Sequence, residues 1–481
     1  MKKQGRNVLA IILAAVMTTG LAACGGGNTN STTAASTESK AAAAETSAQS
    51  GTTAAASAAS NLPSNVKITL WTDQSISTDA WQAEFSRFAE QYKSQNYSLD
   101  IQAFAGSDRS TKMAAAISSN SLPDMGLYAW FTDTDWCHQG YVLDVSDITG
   151  KVKDQMYPSV YQETQLNGKS YMVPLWSNYW GMMYNADMLK SAGLEKYVPS
   201  DPNEVTVWTM DQFNEILKTV SASMSGNQYC LPLFAADNQA DTTNLLFLTM
   251  NGGQLWKDGL SDAGTDSKVV SALDTMGGWV KSGYTNKDVV SKSNNDVPSD
   301  FTNKLACFSY GYYSNYKDYL KQMNSGSIGK FDIRIAAFPK TDNGKDTYQM
   351  ANYVYGISAF DTKDTDRETV TKLFLNWLVN DKKAMTDLSM AISSIQSIAT
   401  DKDVIAANPV FESYAKKIDQ DHLNQFHGNV AGYVSTRAML FPQLQAYFGG
   451  SATAQAALTT YMDQANKSIQ NYIKNSVILN K

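Results

Sequence analysis

Histidine, cysteine and proline are scarce in this sequence, at 3, 4 and 11 of 481 residues, and no apolar run exceeds the ten residues 8–17. Each scarcity excludes a class of chemistry. His138, His422 and His427 stand at no metal-ligand spacing and no His-Glu-x-x-His occurs, so no zinc site is expected. Ten apolar residues cannot cross a bilayer, which takes about 20 in a helix. There is no Gly-x-Ser-x-Gly elbow, and Gly168-Lys169-Ser170 imitates the end of a phosphate loop but has Glu163 where the first glycine belongs. Asp361, Asp364 and Asp366 lack the glycine and terminal glutamate of a calcium loop and read as a solvated acidic turn. A glycosidase needs two carboxylates about 5–10 Å apart with separated pKa values, and nothing in the sequence pairs two acids in that way. Neither catalytic residues, nor a metal, nor a cofactor is expected.

What is present begins with a processing signal. Lys2, Lys3 and Arg6 precede the apolar run, which leads to Leu21-Ala22-Ala23-Cys24. A basic start, a short apolar core and small residues before a cut make a secretory signal over residues 1–23. A cysteine directly after Leu-Ala-Ala resembles the bacterial lipobox, which implies diacylation of Cys24 and anchoring at the outer face of the cytoplasmic membrane. Residues 25–61 hold no aromatic and no large aliphatic side chain, so segment 24–61 reads as a disordered tether with a span of roughly 35 Å. Loss of residues 1–23 would move the formal charge from -7 to -10, since three positive charges leave with them. Such a body has no general attraction to nucleic acid. Cys137, Cys230 and Cys307 then remain, an odd number far apart in sequence, and small buried thiols are expected.

The remainder reads as alternating strands and helices. Val66, Ile68 and Leu70 alternate as in a strand ending at Trp71-Thr72-Asp73, and Trp81, Phe85, Phe88, Ala89 and Tyr92 form a helical stripe from Asp79. Further strands are expected around Leu99–Ala103 and Met125–Trp130, giving a mostly parallel α/β layer whose ligand would sit beyond the strands' carboxyl ends. Asp124 is expected to cap the turn entering the third strand. Thr209-Met210-Asp211-Gln212 is a capping box for a helix to about Val220. Leu231–Phe234 and Leu305–Ser309 read as short buried strands, Val269–Val280 and Thr369–Val379 as helices, and Ala454–Lys474 as an amphipathic terminal helix. The stretch Asn167–Leu194 stands apart, with Trp176, Tyr179 and Trp180 crowded around Ser177-Asn178, where a break in the strand is expected. It has the composition of a binding wall.

The same stretch carries a family resemblance. Tyr171-x-Val-Pro174, a variable hexapeptide, Met183-Tyr184-Asn185, Ala192-Gly193-Leu194 and Trp208–Phe213 resemble the extracellular solute-binding proteins of sugar ABC importers. Pro123-Asp124, Phe301–Ala306 and Leu373–Trp377 extend the resemblance. It implies an α/β, two-lobed, type II periplasmic-binding-protein-like fold, each lobe a sheet flanked by helices around a ligand cleft. The lobes would be residues 62–175 with 337–388, and 176–336 with 389–481, with Ile333–Pro339 as the return crossing. It implies a monomer that delivers a carbohydrate to ABC permease subunits. A same-fold receptor for another polar solute and a surface-anchored glycoside hydrolase are the alternatives.

Sugar recognition needs flat apolar faces for ring C–H groups and hydrogen-bonding edges for hydroxyls. The candidates on that chemistry are Trp71, Asp73, Tyr128, Trp130, Trp176, Asn178, Trp180, Tyr312, Tyr313 and Tyr353. The resemblance favours Trp130, Trp176, Asn178 and Tyr313 and adds Tyr433. Asn178 stands where the family often has an acid, so it would bond hydroxyls without adding charge. The number of aromatics suggests an oligosaccharide.

Overall fold

The computed structural model describes residues 62–237, 240–417, 422–424 and 430–479. The signal segment 1–23, Cys24, the tether 24–61 and His427 lie outside the described residues.

Strand β1 (Lys67–Asp73) turns Ile68, Leu70 and Thr72 inward, and helix α1 (Thr78–Gln91) covers them with Trp81, Phe85 and Phe88. Ser77 starts α1 by accepting a hydrogen bond from the Ala80 amide. Strand β2 (Ser98–Phe104), helix α2 (Arg109–Ser118), strand β3 (Met125–Ala129) and the short helix α3 (Thr134–His138) follow. β2 and β3 flank β1, both parallel to it. Their carboxyl ends therefore open on one edge, at Asp73, Phe104 and Ala129.

Strand β4 (Val173–Asn185) is one continuous strand of 13 residues, so the expected break at Ser177-Asn178 does not occur. Hydrogen-bonded neighbours on both sides hold the polar pair in extended form: Ser177 faces Val354 and Ile392 across the ladder, and Asn178 faces Tyr353. Beyond β4 lie helices α4 (Ala186–Ser191), α5 (Met210–Ala222), α6 (Thr242–Thr249) and α7 (Ser267–Lys281). The capping box of α5 is formed as its residues suggested, Thr209 Oγ1 accepting from the Gln212 amide and Gln212 Oε1 from the Thr209 amide. Strand β5 (Phe308–Gly311), helix α8 (Tyr313–Ser325) and strand β6 (Ile333–Ala336) complete this half.

The chain returns on strands β7 (Phe338–Asp342) and β8 (Lys345–Ala359), then forms helix α9 (Thr365–Asn380), the two-residue strand β9 (Ile392–Ser393), and helices α10 (Tyr433–Phe448) and α11 (Ala454–Asn475). The return crossing is thus carried by β8 rather than by Ile333–Pro339, which splits into strands paired with β4 and β8. Leu231–Phe234 is not a ladder strand. Pro232 has no amide to donate, and the segment makes only an isolated bridge at Leu231.

Among the described residues the two lobes share one mixed sheet of ten strands, with the path β6-β4-β8-β3-β1-β2. β4 pairs with β8 from Val173 to Trp180, then with β5 and β6 from Gly181 to Asn185. One core packs α1 and α9 on the sheet, with Phe374 at 5.1 Å from Phe85 and 5.2 Å from Phe88. The other gathers Trp208, Phe213, Phe247, Trp279 and Phe308. Asp124 is 1% exposed and caps no turn: its Oδ2 accepts from the Thr69 amide at 2.7 Å and from Arg367 at 2.7 Å, fastening β1 to α9. Cys137, Cys230 and Cys307 are buried free thiols. Among the described residues no helix is long and apolar enough to cross a membrane.

The β4–β8 ladder carries a bulge. Tyr355 faces Trp176 but Gly356 faces Pro174, which leaves Leu175 as an extra residue on β4. A Cβ on Gly356 would lie 2.3 Å from the Val173 carbonyl oxygen, so the two backbones approach only because residue 356 has no side chain. Gly356→Ala is expected to destabilise the fold by about 1–3 kcal/mol through forced separation of the strands. Urea denaturation checks this, and an unchanged midpoint would mean that the ladder shifts freely at the bulge.

Candidate functional site

A cavity of about 610 Å³ opens where β1, β2 and β3 end, within the range of small-molecule sites. On the side of the parallel strands it is lined by Asp73 at the end of β1, Gly106 after β2, Arg109 at the start of α2, and Tyr128, Ala129, Phe131 and Thr132 at and after the end of β3. Trp180 of β4 and Tyr353 and Tyr355 of β8 form its back. Facing the parallel strands are Asp237, Thr242, the pair Asn294-Asn295, Tyr312 before α8, and Arg437 of α10.

The aromatic rings of the back hold one another edge to face. Trp180 lies 4.9 Å from Tyr312, which lies 5.4 Å from Tyr353, which lies 5.5 Å from Phe131. Polar edges lock the arrangement, since Trp180 Nε1 donates to Thr243 Oγ1 at 3.0 Å and the Tyr353 hydroxyl bonds that of Thr242. Tyr355 lies flat against Trp176, with centroids 5.5 Å apart and planes 6° apart, so its rear face is occupied.

The guanidinium groups in the wall are paired. Arg109 forms an ion pair with Asp133, donates to the Thr132 carbonyl at 3.1 Å and lies 3.8 Å over the Tyr128 ring. Arg437 Nε donates to Asp241 at 2.8 Å, and the Tyr433 hydroxyl donates to the other oxygen of that carboxylate at 2.7 Å. Burial lowers Arg109 to about 10, still cationic at neutral pH. Burial also works against the charge of Arg437, but Asp241 outweighs it and the group sits above its ordinary value. Burial pushes the hydroxyl of Tyr128 up to about 12 against the pull of Arg109, and that of Tyr355 up to about 12 with help from the charge of Asp73. These phenols stay protonated and neutral. The cavity thus offers flat apolar faces and neutral hydrogen-bond donors, with its guanidinium charges already matched by buried carboxylates. Among the described residues no three His, Cys, Asp or Glu side chains converge as a metal site.

Of the residues singled out from the sequence, the cavity brings together Asp73, Tyr128, Trp180, Tyr312 and Tyr353. The others stand elsewhere. Trp176 backs Tyr355 and is 1% exposed, and Asn178, on the same face of β4, is outside the lining. Trp130 is fully buried with Met113, Val160 and Tyr171, and Trp71 sets its ring edge-on to Phe104 at 5.4 Å. Tyr313 packs on Phe411 at 5.0 Å, in a cluster with Tyr179. Tyr433 is buried behind the wall as the partner of Asp241. The residues passed over are Tyr355, Arg109, Phe131, Thr242, the pair Asn294-Asn295 and Arg437. Only Tyr355 left a signal, because alternation puts it on the face of Tyr353.

Comparison with known proteins bears on the family and the fold. The family described as bacterial extracellular solute-binding protein matches residues 74–385. The diacetylchitobiose binding protein DasA of Streptomyces coelicolor is 25% identical over 165 residues, which are 34% of this chain and 36% of that protein. The matched region is therefore about a third of the relative's length. Among solved structures, the maltose-bound MalE3 of T. maritima superposes with a TM-score of 0.64 at 16% identity, over 83% of this chain and 98% of that one. The cyclic alpha-maltosyl-1,6-maltose binding protein of Arthrobacter globiformis gives 0.66 at 16% identity, over 84% and 99%. These likenesses establish the two-lobed type II periplasmic-binding-protein fold.

Arg437→Gln is expected to cost about 3 kcal/mol of stability, because Asp241 is 2% exposed and would keep a buried charge without its cation. Denaturation of the variant measures this directly. An unchanged midpoint would show that the Tyr433 hydroxyl alone satisfies the carboxylate.

Proposed function

The chain belongs to the bacterial extracellular solute-binding protein family, and from that premise we propose that it is the receptor of a carbohydrate ABC importer. The observation that carries the reading is the cavity at the strand ends, where Trp180, Tyr312, Tyr353 and Tyr355 present ring surface beside neutral hydroxyl donors and the Asp73 carboxylate. Ring faces take the C–H side of a pyranose and the polar groups its hydroxyls. The paired state of Arg109 and Arg437 leaves no cation in the wall to call for an anionic ligand. DasA is named for a sugar ligand, and the two superposed structures are named as sugar-binding proteins, one of them holding maltose.

The receptor works by closing. Residues 62–175 with the end of β8 and the chain to 388 form one lobe, and 176–336 with β7, the start of β8 and 389–481 the other, so the return boundary falls within β8 rather than at 337, and β4 and β8 are the hinge strands between them. A ligand that touches both walls shifts the open–closed equilibrium by its extra affinity for the closed state, and the closed form is presented to the permease subunits. The ligand is returned intact rather than transformed. Cys24, at the head of the tether 24–61, carries the lipid that holds the protein as a monomer on the outer face of the cytoplasmic membrane; the lipobox-like Leu21-Ala22-Ala23-Cys24 supports this.

A thermal-shift screen against mono- and oligosaccharides, with chromatography of each hit after incubation, tests the reading. A ligand at 100 times its dissociation constant is expected to stabilise the protein by about 2.7 kcal/mol and to be recovered whole. Recovery of cleaved sugar would make the protein a hydrolase, and silence with every carbohydrate would direct the search to other polar solutes. With a hit in hand, Trp180→Ala and Tyr355→Ala are each expected to weaken binding by about 1–3 kcal/mol, the scale of burying such a ring. Unchanged affinity in both would remove the proposed ring platform.

A further inference from the structure

We propose that the cavity continues into a second compartment that holds the outer units of a neutral oligosaccharide, so that the protein measures the length of its ligand along helix α10. The inference rests on the carbohydrate reading above. A groove of about 530 Å³ borders the main cavity, and Asp237 and Asn295 line both. One wall of the groove is a single face of α10, formed by Ala438, Phe441, Pro442 and Gln445 at the spacing i, i+3, i+4 and i+7. Arg437 of the same helix lines the main cavity, so the helix runs beside both spaces.

Three features of this groove suit a saccharide. Pro442 lies inside the helix and has no N–H, so the carbonyl of Ala438 lacks its usual donor four residues on, and both residues line the groove. That oxygen can accept from a ligand hydroxyl. The side-chain amides of Asn294 and Asn295 have no protein partner among the described residues; Asn295 lines both spaces and Asn294, its neighbour, the main cavity. Between them they offer donors and acceptors to the bridging unit. The exposed Pro442 ring and the Phe441 side chain beneath it give an apolar floor, while Ala235, Ala236 and Ser293 opposite are small enough to leave room for a ring. Among the described residues no lysine or arginine lines the groove, and Asp237 at its mouth opposes an anionic sugar.

The test is titration calorimetry of the protein with two ladders of one to five units, maltodextrins and N-acetylchitooligosaccharides. Affinity is expected to climb by about tenfold beyond the shortest member that binds and then to level off. Ala438→Trp fills the groove from an exposed helical position. It is expected to bring the long members back to the affinity of the shortest while leaving the shortest unchanged. Pro442→Ala returns an N–H to the Ala438 carbonyl; it is expected to raise the melting temperature and to weaken the long members about threefold, one net hydrogen bond. If the shortest member binds and affinity is flat with length, or if Ala438→Trp leaves the ladder as in the wild type, the second compartment is overturned while the receptor reading stands. If neither ladder binds at all, the carbohydrate reading falls and the compartment falls with it.

Discussion

The antiparallel ladder between β4 and β8 is the constraint on which everything else depends. A chain that passes between two lobes must satisfy its backbone N–H and C=O groups along the way. Here the two crossing strands satisfy each other, from Ile357 against Val173 to Ala351 against Trp180. The pairing also sorts side chains. Trp176 and Trp180 share a face with Tyr353 and Tyr355, whereas Ser177 and Tyr179 turn to the far side, where Tyr179 meets Tyr414 at 5.4 Å. A slip of one residue would exchange the two sets and empty the cavity of its rings.

The bulge at Leu175 sits at the most consequential point of that ladder. It lies beside the Trp176–Tyr355 pair, and the extra residue is anchored separately, its carbonyl accepting from the Ser394 amide at 2.9 Å. Bulges bend a strand and re-aim its side chains, and this one adjoins Trp176, the residue on which Tyr355 rests. The ring then needs no ligand to hold it, because Trp176 already supports its rear face. The same economy appears in the charges. Arg109 and Arg437 are each matched by a buried aspartate, so the walls keep their shape without an anion to neutralise them. A site built this way loses little side-chain freedom when a ligand arrives.

How much of this was legible in the sequence depended on whether the signal was local. The stripe of α1, the capping box of α5 and the alternation of β1 are set by neighbours within a few residues, and each was readable. The continuity of β4 was not, because Ser177 and Asn178 are held extended by partners about 175–215 positions away in the chain. The site divides in the same way. Asp73 and Tyr128 were readable because ligands collect at the carboxyl ends of parallel strands. Trp130 follows Tyr128 in the sequence by only two residues, yet the chain has left the strand at Ala129 for a single helical turn, and the ring swings into the interior. Arg109 and Arg437 carried no pattern at all, since a guanidinium reads as a solvated surface group until the aspartate that buries it is seen.

The arrangement of walls also fixes what kind of ligand can drive closure in the receptor proposed here. A solute shifts a conformational equilibrium only by the difference between its affinities for the two states. One that touched Asp73 and Tyr128 alone would bind each state about equally and move nothing. Contact with Asn294, Asn295 and Arg437 across the cavity supplies the difference, and the groove beyond Asn295 adds surface on that side only. Contacts in the groove would raise affinity for open and closed states alike. Length and closure would be separable quantities in such a receptor: the rings and strand ends would recognise a sugar, the facing amides would convert binding into closure, and α10 would set how far the ligand extends.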